Sequence, residues 1–91
     1  MTEWQVHFEF AHALSFDRME DLMLGDLAPY HAVTCGGDGY DTSSVTMTVE
    51  ADTAASAFEV AWQAVTRAEP FTPEEVLEFD VRPMPGPDDP A

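Results

Sequence analysis

Apolar and polar side chains alternate along three stretches of the chain. In WQVHFEFAH, residues 4 to 12, Trp4, Val6, Phe8 and Phe10 fall on one side and Gln5, His7 and Glu9 on the other. A period of two belongs to a strand with one buried face. SSVTMTVEA, residues 43 to 51, sets Val45, Met47, Val49 and Ala51 inward and Thr46, Thr48 and Glu50 outward. EEVLEFDVRP, residues 74 to 83, sets Leu77, Phe79 and Val81 inward against Glu78, Asp80 and Arg82. A shorter strand is predicted at HAVTC, residues 31 to 35, joined to the next by GGDGYD as a glycine-rich hairpin connection.

Two stretches repeat at helical spacing instead. In LSFDRMEDLMLGDLAPY, Phe16, Met19, Met23 and Leu27 recur with Leu22 beside them. Ser15 is placed as N-cap, Leu14 and Met19 as a hydrophobic staple, and Asp17 at the positive end of the helix dipole. Gly25 weakens the last turn and Pro29 bars continuation, so this helix ends between residues 24 and 28. In DTAASAFEVAWQAVTRAE, Ala54, Ala57, Phe58, Ala61, Val65 and Ala68 form a stripe with Trp62 at its border and Asp52 or Thr53 as cap. PFTP then breaks the chain, and residues 84–91 read as a flexible Pro/Asp tail behind a single domain of residues 1–83.

The order β-α-β-β-α-β resembles the ferredoxin-like superfold, an α+β sandwich. Right-handed crossovers imply an antiparallel sheet in the order 4-1-3-2 with both helices on one face. Many unrelated activities use this plan, so it does not fix a function. With the inward sets paired, Phe8 lies near Met47 and Phe79. The outward residues then form the rows Arg82–Gln5–Glu50, Asp80–His7–Thr48 and Glu78–Glu9–Thr46.

Charge narrows the uses of that outward face. Eighteen Asp and Glu stand against three arginines and no lysine, a formal net charge of −15. Phosphate neutralisation needs Lys and Arg, which weighs against direct nucleic-acid binding and against anionic membranes. RNA-recognition modules present stacking aromatics from the central strands, where this chain has Gln, His, Glu and Thr. Small dimeric α+β-barrel enzymes close two such faces around an apolar cavity, and here they would bury Glu9 and Glu78. Codon usage and solubility also produce acidic chains, as do high-salt adaptation and a basic partner. Cys35 is the lone cysteine, so an intramolecular disulfide and four-cysteine zinc sites are excluded. The start of the chain lacks the pattern of a signal peptide, and no apolar run reaches the roughly 18 residues of a membrane span. A cytoplasmic protein is expected, monomer or homodimer, with no cofactor.

Candidate chemistry is sparse. His7, beside Asp80 in its row, is the candidate general base with Glu9 or Asp80 orienting it; the simpler assignment is a surface ion pair between His7 and Asp80. His12, Ser15, Asp17, Cys35, Asp38, Tyr40 and Asp41 gather at one end of the sheet, with His12, Asp17, Asp38 and Asp41 as candidate ligands of a divalent cation. Their spacing matches no EF-hand, HExxH or Walker pattern. GGDG lacks a neighbouring cation and suits a hairpin better than a phosphate cradle, and Met19, Met23 and Met47 suit core filling. The candidates for partner binding are Glu9, Glu50, Glu78 and Asp80 on the acidic surface, with His31 and Thr34 at the edge of the second strand. The expected function is a non-catalytic, acidic interaction or accessory protein engaging a protein partner, basic in character, through either surface. Its sharper form is a nucleic-acid mimic of the phage-inhibitor type; the alternatives are a dimeric barrel enzyme or small-ligand binder using His7 or His12, and a structural subunit.

Overall fold

The computed structural model describes residues 2–11, 14–36 and 41–84. His12, Asp38, Tyr40 and the stretch 85–91 of the expected tail lie outside the described residues. Strands β1 (Thr2–Phe10), β2 (Val33–Cys35), β3 (Ser43–Ala51) and β4 (Val76–Pro83) form one antiparallel sheet in the order β2-β3-β1-β4. Helices α1 (Phe16–Leu24) and α2 (Ala54–Ala68) complete an α+β architecture compatible with the ferredoxin-like plan. No helix among the described residues is long and apolar enough to cross a membrane.

Alternation produces the core. Val6, Phe8 and Phe10 of β1 and Val45, Met47 and Val49 of β3 are buried in one cluster with Met19 and Leu22 of α1 and Ala57, Ala61 and Val65 of α2. Both helices therefore cover the same face of the sheet. Small residues let α2 lie close to the strands, and its larger side chains fill the remaining space. Phe58 meets Phe8 edge-on at 5.5 Å between ring centroids. Phe71, from the PFTP break, stacks on Phe10 at 3.8 Å.

Local capping follows the sequence. The Ser15 hydroxyl accepts from the Arg18 N–H at 3.2 Å, and Thr53 accepts from the Ser56 N–H at 3.1 Å. Arg18 then joins the two helices, donating from Nε to Glu69 at 2.8 Å and from Nη2 to the Ala68 carbonyl at 2.6 Å. It satisfies an acceptor at the end of α2, where helix carbonyls lack partners.

The structure differs from the sequence expectation in the β1–β3 register, in β4 and in α1. β1 and β3 pair two residues away from the expected register, so that Phe8 faces Val45, Gln5 faces Thr48 and His7 faces Thr46. A shift of two keeps every side chain on its own face, so hydrophobic patterning cannot distinguish the two registers. The ends do: the Trp4 indole donates to the Ala51 carbonyl at 2.9 Å, and buried Ser43 accepts from the Leu14 N–H at 2.9 Å. In β4, a bulge at Glu9/Phe10 pairs Phe10 with Val76, which takes the place expected for Leu77 and leaves Leu77 56% exposed. Phe79 faces Phe8 as expected, yet stays 58% exposed on an edge strand where Phe58 is its aromatic neighbour. In α1, Met19 and Leu22 face the core while Phe16 is exposed, so the buried side is rolled away from the expected stripe.

Candidate functional site

On β1, β3 and β4 the sheet face opposite the helices is built from polar and charged side chains, and β2 adds the exposed Val33. β1 contributes Glu3, Gln5, His7 and Glu9, β3 contributes Ser44, Thr46, Thr48 and Glu50, and β4 contributes Glu78, Asp80 and Arg82. The rows across the sheet are Arg82–Gln5–Thr48, Asp80–His7–Thr46 and Glu78–Glu9–Ser44. Their β1–β4 half is the expected one. Glu3 sits opposite Glu50, and Glu9 opposite Glu78.

His7 lies in a depression of about 360 Å³ lined also by Gln5, Thr46, Glu78, Asp80 and Arg82. Its Nδ1 meets the Thr46 hydroxyl at 2.7 Å, while the Asp80 carboxylate accepts from the Arg82 guanidinium. The expected His7–Asp80 ion pair is thus replaced: the two residues are cross-strand neighbours, but each is held by a different partner. Arg82 is two residues along the same strand from Asp80, so their side chains share a face and reach one another. Thr46 thus holds the Nδ1 side of the imidazole.

The other sequence candidates fall in several places. Glu9, Glu50, Glu78 and Asp80 share the open face. His31 joins Glu3 and Glu50 around a second depression of about 350 Å³ and adopts a left-handed backbone, φ 51°, at the end of the turn Ala28–Tyr30. Thr34 is on the opposite side, pairing with Val45 and donating to the Met19 carbonyl at 3.4 Å. Asp17 and Asp41 are exposed, and His12 and Asp38 fall outside the described residues. Among the described residues no three His, Cys, Asp or Glu side chains are grouped to hold a metal ion.

Two features escaped the sequence pattern. Glu3 opposes Glu50 only in the observed register. Phe16, Met23 and Leu24 form a second apolar flank on α1; their spacing with Glu20 signals it, but the apolar stripe over residues 16–27 does not separate it from the buried flank. No protein family, curated protein or solved structure matches this chain.

Proposed function

We propose that this chain is a non-catalytic, acidic protein-binding module of ferredoxin-like topology whose open sheet face engages a cation-rich surface of another protein. The supporting observation is the placement of like charges directly across the strands, Glu3 against Glu50 and Glu9 against Glu78. Opposed like charges destabilise a sheet by about 0.2–1 kcal/mol per pair. Arg82, the guanidinium of this face, is already committed to Asp80. A partner bearing Lys and Arg relieves both pairs, so the energetics of the free face favour a cationic ligand. Small polar neighbours, Ser44, Thr46 and Thr48, keep the acids accessible. The single thiol, Cys35, suits a reducing, cytoplasmic setting.

A titration of the isotope-labelled chain with an arginine-rich peptide, followed by NMR, tests this function. Shifts centred on Glu9, Glu50, Glu78 and Asp80 that weaken steeply with salt are expected. The quadruple change E9Q/E50Q/E78Q/D80N abolishes them. Equal binding by that variant, or shifts spread evenly over both helices, overturns the proposal. In the nucleic-acid-mimic form, duplex DNA and this chain compete for the same peptide.

A further inference from the structure

The helix-side margin of β2 has a chemistry that the open face lacks. α1 carries apolar side chains on two flanks: Met19 and Leu22 enter the core, whereas Phe16 is 63% and Leu24 67% exposed. Phe16, Glu20, Met23 and Leu24 recur at steps of three and four residues or adjoin one another, which brings them to one side of the helix. With Thr34 and Gly36 they line a groove of about 470 Å³. β2 borders that groove, with β3 on one side and, among the described residues, no strand on the other. An outer strand edge offers backbone donors and acceptors to an added chain. On the sheet's opposite face Val33, across from Thr46, is 63% exposed. A segment beside β2 therefore meets apolar surface on both faces. Asp17, Glu20 and Asp21 are exposed along α1, while the helix's cation, Arg18, is turned to Glu69 and the Ala68 carbonyl.

We propose that the β2 edge accepts an extended, cationic segment of a partner protein as a fifth strand. Its backbone pairs along Val33–Cys35, one apolar side chain seats between Phe16 and Leu24, and its Lys or Arg residues meet Glu20 in the groove, with exposed Asp17 and Asp21 adding to the attraction at longer range. Backbone pairing supplies affinity and the alternating side chains supply selectivity. The site rests on the cation-rich partner proposed above and adds a contact read through the main chain. Charge settles the class of occupant: a second copy would bring the same acids against one another, whereas a basic segment neutralises them.

The test uses the full chain and a short, amide-capped peptide alternating valine and arginine. Two comparison peptides are one N-methylated at alternate backbone nitrogens and one with glutamate for arginine. The parent peptide is expected to shift and protect the amides of Val33–Cys35, with the comparison peptides binding about tenfold more weakly or worse. F16S and L24S, both at exposed positions, should weaken the parent by about tenfold while the dispersed spectrum of the folded chain persists. Equal binding of parent and N-methylated peptides, with shifts confined to Glu9, Glu50 and Glu78, overturns the edge site and leaves the charged face standing. Absence of any binding overturns both. Protection of β2 amides without peptide, growing with protein concentration, assigns the edge to a second copy and also overturns the proposal.

Discussion

Ser43 shows how much a single side chain holds. It is fully buried at the start of β3, and its hydroxyl receives the Leu14 N–H that leads into α1. A hydroxyl in the core is favourable only when hydrogen-bonded, and here it fixes a backbone donor that water cannot reach. S43A is expected to destabilise the chain by about 1–3 kcal/mol, because it strands that donor while leaving a volume close to the original. Urea unfolding measures the loss, and an unchanged midpoint would show that the hydrogen bond is dispensable. His31 bears a different local cost, since a non-glycine residue in the left-handed region is strained by roughly 1–2 kcal/mol. Its position beside Glu3 and Glu50 puts an imidazole next to two exposed acids.

The like-charge pairs belong to strand pairing. Glu78 faces Glu9 across β4 and β1, so E78K converts a repulsive pair into an attractive one. The free chain is expected to gain about 0.2–1 kcal/mol by thermal or urea melts while losing affinity for an arginine-rich peptide. Gain in stability without loss of binding would separate the pair from function.

Which elements were legible in the sequence follows from how much freedom each pattern left. β1, β3 and α2 announced themselves because one face is greasy along the whole element, and the buried Val45, Met47 and Val49 and the Ala57–Ala61–Val65 stripe fall as the spacing requires. α1 was legible as a helix but not in its rotation. Phe16 and Met23 lie on one flank of Met19 and Leu22 on the other, so hydrophobicity alone permitted either seating. The bulge that exchanges Leu77 for Val76 depends on three-dimensional curvature, which no alternation encodes. Of the candidate site, membership of the open face was readable from parity. The partners of His7 and Glu3 were not, because a two-residue slide changes neighbours without changing faces.

At the scale of the whole molecule, charge and topology act together. A formal charge of −15 on a chain of 91 residues repels itself most strongly in its compact form. Raising NaCl from about 20 to about 500 mM shortens the Debye length to less than the span between most surface carboxylates and should raise the melting temperature. A melting temperature that falls with salt would mean that the Arg18–Glu69 and Asp80–Arg82 pairs outweigh the general repulsion.

The two margins of the sheet are unlike. Along β4 the bulge at Glu9/Phe10 and the terminal Pro83 interrupt a regular row of donors and acceptors. Growth of a polymer requires a sticky border at both ends of each subunit, as an open chain of heterologous contacts does. Strand addition confined to β2, as proposed, therefore predicts one added segment per chain, and a titration that saturates at a one-to-one ratio checks it.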